Sequence, residues 1–283
     1  MKIILMGGCG LLGSYLAAEL KTDGHEVYRQ SRGQCVDLEI DPFNEGLIKK
    51  VLSRIQPDIV VNLIAKTDVD GCEAAVDDAF LVNTKSVEVL AGSLFGSNSK
   101  LLHISTDQVY TASGFQAEDE AIPQNIYSLT KYAGELAALK HGGLVLRTNF
   151  ICGAVEGDGQ GLCNWLYRSL SGQVPIKIFE DVFFNPVHPS YLARLIPHLI
   201  NKSLTGVYNV GSVGGVSKAE LARRICEVFS FNTGNMESMS SVDFAFKAKR
   251  PNDMRMDITK LAGVSGQAPP TIDETIERLM DDF

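Results

Sequence analysis

Short apolar runs alternate with longer stretches of helical spacing through the first half of the chain. Runs at Ile3–Met6, Glu26–Arg29, Asp58–Ile64, Lys100–Ile104 and Leu144–Arg147 predict strands. Between them, Leu12–Lys21, Phe43–Ile55, Ala74–Leu94 and Ile126–Lys140 predict helices. The strands are apolar without alternation, as a parallel sheet covered on both faces requires. The expected fold class is therefore α/β, a Rossmann-type doubly wound parallel sheet. After about Thr148 the rhythm loosens. Ser190–Ile200 reads as a helix and Gly206–Val210 as a strand, whereas Gly153–Phe184 and Val213–Arg255 fit no further strand–helix repeat. A smaller C-terminal lobe over residues 151–283, with segments returning to the domain formed by residues 1–150, is the expected organisation.

Composition narrows the class. A chain of 283 residues can bury a sizeable core, and 45% hydrophobic with 21% charged residues is ordinary for a soluble globular protein. A net charge of -8 argues against a nucleic-acid partner, because such binding runs on basic side chains. No apolar stretch reaches membrane-spanning length, so no membrane partner is expected. The six cysteines are scattered without a Cys-x-x-Cys pair, which favours reduced thiols, a cytoplasmic location and no metal.

The turn after the first strand is Gly7-Gly8-Cys9-Gly10-Leu11-Leu12-Gly13, opening a helix. Glycines at this place let the backbone approach a pyrophosphate at a helix N-terminus, so dinucleotide binding is expected of residues 1–150. The end of the second strand reads Arg29-Gln30-Ser31-Arg32 and lacks the acid that would hold a ribose 2′-hydroxyl. Ser31 and Arg32 suit a 2′-phosphate instead, so NADP(H) is expected, with NAD(H) left open.

Tyr127 and Lys131 stand one helical turn apart on a single face. A lysine cation beside a phenol lowers the tyrosine pKa, which suits acid–base work. Chance alone gives such a spacing about even odds among eight tyrosines. Its placement after a strand ending in Ser105-Thr106-Asp107-Gln108 raises its standing, since ligands of this architecture bind at the carboxyl ends of strands.

Taken in order, these motifs resemble the extended short-chain dehydrogenase/reductases. They are most similar to the dTDP-4-dehydrorhamnose reductases and related 4-keto-6-deoxysugar-nucleotide reductases. Arg54–Ile64, Ala65-Lys66-Thr67, Val69-Asp70, Asn83, His103–Val109, Tyr127–Gly134, Leu146-Arg147-Thr148 and Arg250-Pro251-Asn252 carry the likeness over nearly the whole chain. The resemblance implies Thr106, Tyr127 and Lys131 as catalytic residues, with Tyr127 protonating the alkoxide that forms at C4. It implies Gly7, Gly10 and Gly13 against the pyrophosphate, with Leu11 and Leu12 beside them. Asp37 and Leu38 would meet the adenine, Leu63, Ile64 and Ala65 the ribose side, and Lys131 and Asn149 the nicotinamide end. The nucleotide-sugar substrate would meet Thr106, Asp107, Tyr127, Phe150, Asn185, Val187 and Arg250, the last at its diphosphate. A homodimer is possible on the same ground.

Two departures touch the expected sugar pocket. Phe150 stands where the rhamnose reductases usually have tryptophan, and Lys66 replaces a frequent histidine. Gln108 replaces the glutamate that related dehydratases carry in Thr-Asp-Glu, which argues against elimination. A sugar-nucleotide epimerase remains open, as does a non-catalytic NADP-binding regulatory subunit. The segment Phe184-Asn185-Pro186-Val187-His188 reads as a turn, and Trp165 and Tyr167 as lobe packing.

Overall fold

The computed structural model describes residues 1–31, 36–151 and 161–283. In the first half β1 (Lys2–Met6), α1 (Leu11–Thr22), β2 (Glu26–Gln30), α2 (Glu45–Ile55) and β3 (Ile59–Asn62) follow in order. Then come α3 (Val69–Ala74), α4 (Val76–Phe80), α5 (Ser86–Leu94), β4 (Lys100–Thr106), α6 (Ile126–Leu139) and β5 (Leu144–Thr148). The second half holds α7 (Leu162–Ser171), β6 (Ile176–Phe179), β7 (Phe183–Phe184), α8 (Pro189–Asn201) and β8 (Gly206–Val210). It closes with β9 (Val216–Ser217), α9 (Lys218–Phe229), β10 (Met236–Met239), α10 (Thr259–Ser265) and α11 (Ile272–Glu277).

Six strands form one sheet in the order β2-β1-β3-β4-β5-β8, every neighbour parallel. The strand order reverses between β1 and β3, which opens a crevice at their carboxyl ends. Apolar clusters cover both faces: Leu16, Leu192 and Leu195 lie with one, Ile48, Val87 and Leu90 with the other. This is the doubly wound architecture that the unalternated strands predict.

Of the boundaries that differ from the sequence expectation, three have a physical reason that bears on the crevice. The strand expected over residues 58–64 ends at Asn62, because the Ile64 amide donates to Asn62 Oδ1 (3.2 Å) rather than to a neighbouring strand. The helix expected from Phe43 starts at Glu45, where Asn44 caps it by accepting from the Leu47 amide (3.0 Å). The single helix expected over residues 74–94 is broken at Ala75 and widened into a π-helical turn at Leu81–Lys85. That turn points Asn83 inward. Its Oδ1 accepts from the Lys66 amide (2.7 Å), and its Nδ2 donates to the Lys66 carbonyl (3.2 Å) and Thr130 Oγ1 (3.1 Å).

The lobe has its own apolar cluster, built from Leu166, Ile178, Phe184, Leu221, Ile225 and Ile276 among others. Two small sheets frame it, β6 with β10 in parallel and β7 with β9 antiparallel. Helix α8 and strand β8, although late in the chain, pack with the main sheet instead. No helix among the described residues is long and apolar enough to cross a membrane.

Candidate active site

Helix α6 begins in a capping box: Asn125 Oδ1 accepts from the Ser128 amide (2.8 Å), and Ser128 Oγ accepts from the Asn125 amide (3.3 Å). This fixes where the helix starts, and therefore where Tyr127 and Lys131 point. Both are buried, as is Thr106 at the end of β4. Lys131 Nζ donates to the Ile104 carbonyl (2.7 Å), two residues before Thr106. Thr106 Oγ1 donates to Asp107 Oδ1 (3.3 Å) and accepts from the Gln108 amide (3.2 Å). Asn149 Nδ2, at the end of β5, donates to Asp107 Oδ2 (2.8 Å). Three elements thus bring Thr106, Asp107, Tyr127, Lys131 and Asn149 together.

Burial dominates the electrostatics. It pushes the Tyr127 phenol up to about 12, against a hydrogen bond from Thr106 that pulls it down. The Lys131 ammonium donates to the Ile104 carbonyl, and burial is the largest influence on the phenol. Burial lowers Lys131 to about 8, opposed by the Glu135 carboxylate. Burial also raises Asp107 to about 6, opposed by Asn149, Thr106 and the Lys218 ammonium. At neutral pH the site therefore holds a protonated phenol beside a lysine that is mostly charged.

A cleft of about 440 Å³ lies at the strand reversal, lined by Gly7, Gly10, Gln30, Ser31, Ile40, Asp41, Pro42, Phe43, Leu63, Ile64, Ala65 and Val82. Gly7 has φ +81°, and Gly13 lies so close to the turn that an added Cβ would stand 2.6 Å from the Gly7 carbonyl oxygen. At Gly10 the same Cβ would meet only that oxygen, at 3.4 Å, and otherwise faces open space. Gly7, Gly10, Ser31, Leu63, Ile64 and Ala65 all line this cleft. Leu12 belongs to the core cluster, and Leu11 is half-buried at the helix start.

Several expected contacts fall elsewhere. Asp37 is not on the cleft wall: its carboxylate accepts from the Arg29 amide (2.9 Å) and pairs with Arg29 Nε (3.3 Å). Leu38 is packed in the core, and Ile40 to Phe43 form that wall instead. Arg32 lies outside the described residues. Asn185 is fully buried, and its amide is consumed by the Ser212 and Met256 carbonyls and the Met256 amide (3.0–3.2 Å). Val187 is a core residue with no exposure. Both side chains are buried and knit the lobe crossing to the sheet, which leaves neither facing a described cavity. Phe150 bridges Val187 and is half-buried. His188 caps α8 and pairs with Asp282 (3.1 Å).

Arg250 is where a substrate contact is expected. It pairs with Asp70 (3.2 Å) and lies over the Phe246 ring (4.6 Å), lining a cavity of about 130 Å³ with Gln108, Phe179, Lys218, Ser241 and Asn252. Gln108 Oε1 and Arg250 Nε are buried there with no hydrogen-bond partner among the described residues. Tyr167 stacks on Phe283 (4.0 Å between centroids) within an aromatic cluster, while Trp165 is exposed.

The sequence profile of the RmlD substrate binding domain matches residues 1–283. The chain belongs to that family. It is 28% identical over 292 residues to the probable low-salt glycan biosynthesis reductase Agl14 of Haloferax volcanii, covering 99% of this chain and 97% of that one. It is 25% identical to a dTDP-4-dehydrorhamnose reductase of Aggregatibacter actinomycetemcomitans, covering 95% and 94%. The crystal structure of dTDP-4-dehydrorhamnose reductase from Bacillus anthracis in complex with NADP superposes with a TM-score of 0.90 at 26% identity, covering 100% and 99%. In this RmlD family member three features escaped sequence reasoning. The cleft wall at Ile40–Phe43 lies in an irregular stretch without periodicity. Lys218 opens a helix that no strand–helix rhythm announces. Glu135 was visible as a polar residue one turn beyond Lys131, but its buried partner became evident only in three dimensions.

Proposed function

We propose that this chain reduces the 4-keto group of a 6-deoxysugar nucleotide with NADPH. The observation that carries the reading is the convergence of Thr106, Tyr127 and Lys131 at the carboxyl ends of β4 and α6's first turns, beside the glycine-turn cleft. The cleft suits a dinucleotide: Gly10 leaves room for a phosphate at the N-terminus of α1, and Ser31 stands at its far end, where a 2′-phosphate would lie. Leu63, Ile64 and Ala65 line the same cleft.

When bound, NADPH supplies the hydride that reduces the carbonyl carbon. The residues of this chain do the rest. Tyr127 holds its proton at neutral pH, because burial keeps the phenol up at about 12, so it is the donor for the alkoxide oxygen. Thr106 places a second hydroxyl beside it, and its proton, turned from Asp107 to the substrate, would polarise the ketone. Lys131 provides a buried cation near the site of developing negative charge. Asn149 and Thr106 hold the buried Asp107 carboxyl in place behind the reacting groups. Arg250, with its unpartnered Nε in the neighbouring cavity, suits the diphosphate. Gln108 offers no carboxylate base, which disfavours elimination.

The test is direct. Purified chain is mixed with NADPH and a panel of dTDP- and UDP-linked 4-keto-6-deoxysugars, and absorbance at the reduced nicotinamide band is followed. Loss of absorbance with at least one of them is the expected result. No oxidation with any member, despite measurable NADPH binding, would overturn the reading in favour of a binding protein.

A further inference from the structure

Behind Lys131 lies a buried ion pair with no part in the chemistry above. Arg147 is 2% exposed and Glu135 not at all. Arg147 Nε donates to Glu135 Oε1 (2.9 Å) and its Nη2 to Oε2 (2.7 Å). Its Nη1 donates to the Tyr110 hydroxyl (2.7 Å) and the Glu118 carbonyl (2.7 Å). Tyr110 in turn donates to Asn209 Oδ1 (2.7 Å) on β8. The remaining capacity of the carboxylate is taken by Ser105 Oγ, which donates to Oε1 (2.5 Å).

The places of these residues matter more than their number. Glu135 is one helical turn beyond Lys131, on the helix that carries Tyr127. Ser105 directly precedes Thr106, and Arg147 lies two residues before Asn149. One carboxylate therefore binds the helix with the phenol and ammonium to the strand ends with the hydroxyl and amide. The charge has a second effect. Lys131 is buried and meets Ile104 only as a neutral carbonyl, so an anion one turn away favours its charged form. The other charged or titratable groups near Lys131 are Tyr127 on α6, His103 on β4, Asp107 at its end and Arg147 on β5. Of these His103, fully buried and held well below its ordinary pKa, is neutral.

We infer that Glu135 is a positioning residue: clamped by Arg147 and Ser105, its carboxylate keeps the Lys131 ammonium charged and holds Thr106 in register with Tyr127. This rests on the reductase reading only for its kinetic consequence. The electrostatic part stands apart from any substrate.

Both parts are testable. In protein labelled with 13C-lysine, the Lys131 side-chain resonance is assigned by its loss in Lys131→Met and titrated in the otherwise native chain and in Glu135→Gln. The amide keeps the shape of the carboxylate but not its charge, so the Lys131 midpoint should fall by roughly one pH unit. In parallel, the alkaline limb of kcat/KM with NADPH and an active 4-keto sugar nucleotide should move acidward by the same amount. Glu135→Gln leaves Arg147 buried without a counter-charge, so it has a partner variant, Glu135→Gln/Arg147→Met, which removes both charges and relieves that strain on folding. The double variant should fold, and because it loses the Arg147 cation along with the anion, its Lys131 midpoint should fall less than in Glu135→Gln but still lie below the native value. An unshifted Lys131 midpoint in the folded double variant would overturn the inference. If the midpoint moves but no substrate of the panel is turned over, the reductase reading falls and the electrostatic role of Glu135 stands.

Discussion

Asp107 is the residue whose burial has the most measurable consequence. Its carboxyl is raised from 3.8 to about 6 by burial, so the folded chain binds that proton more tightly than the unfolded one. Stability from this group is fully present below about pH 4 and is lost as pH rises through about 6. The loss is on the order of 2–3 kcal/mol. Asp107→Asn should therefore match the native chain in thermal midpoint near pH 4 and exceed it at pH 8, while turnover falls. Equal midpoints at pH 8 would count against a buried carboxylate. Tyr127 gives the complementary experiment. Tyr127→Phe should lower kcat by roughly 10²- to 10⁴-fold with NADPH affinity retained, read by fluorescence titration. Because the phenol stays protonated to about 12, it should not set the alkaline limb of the native profile. Spacing together with placement after the strand ending at Ser105-Thr106-Asp107 singled out the pair, and the resemblance to the reductases supplied the role of Thr106. Neither could report that burial raises the phenol, since desolvation is a property of the folded interior.

At the scale of elements, the glycine turn and the α5–α6 packing answer differently to the same change. Gly13→Ala would drive a Cβ to 2.6–2.7 Å from the Gly7 and Gly8 backbone, so the turn itself must open. Gly10→Ala meets only a 3.4 Å contact. The first should lower the thermal midpoint and abolish NADPH binding, whereas the second should leave the midpoint within about a degree and weaken NADPH at least tenfold. Similar loss of stability in both would show that Gly10 serves the turn rather than the ligand. Gly134 on α6 faces the Asn83 carbonyl so closely that an added Cβ collides with it. Gly134→Ala should cost about 1–3 kcal/mol in urea unfolding and displace the π-helical turn that holds Lys66. The sequence showed a helix through this region because its apolar positions keep helical spacing. It could not show the extra residue in the turn, which is fixed by Asn83 reaching across to a different helix and loop.

Across the whole molecule, legibility follows the range of the contacts. The six-stranded sheet was readable because most of its strands are short apolar runs that recur between helical stretches. The lobe was not, because β6 with β10 and β7 with β9 are pairs of two to four residues drawn from distant segments. No local pattern marks such strands. The C-terminus closes this lobe: Asp282 accepts from Tyr15 of α1 and pairs with His188, while Phe283 stacks on Tyr167. Removing Asp282 and Phe283 should lower the thermal midpoint by roughly 3–8 °C without changing the cofactor affinity of the folded chain. The cluster of the lobe draws on Ile151, Cys163 to Phe184, Val216 to Cys226, Met254 and Ile272 to Leu279, interrupted by α8 and β8, which belong to the sheet. The polypeptide thus leaves the sheet for the lobe more than once. A lobe made this way cannot be lifted out as a cassette and grafted onto a relative. Redesign of sugar preference would have to proceed by dispersed point changes, with Asn185 and the segment around Met256 left alone as the stitching between the two halves.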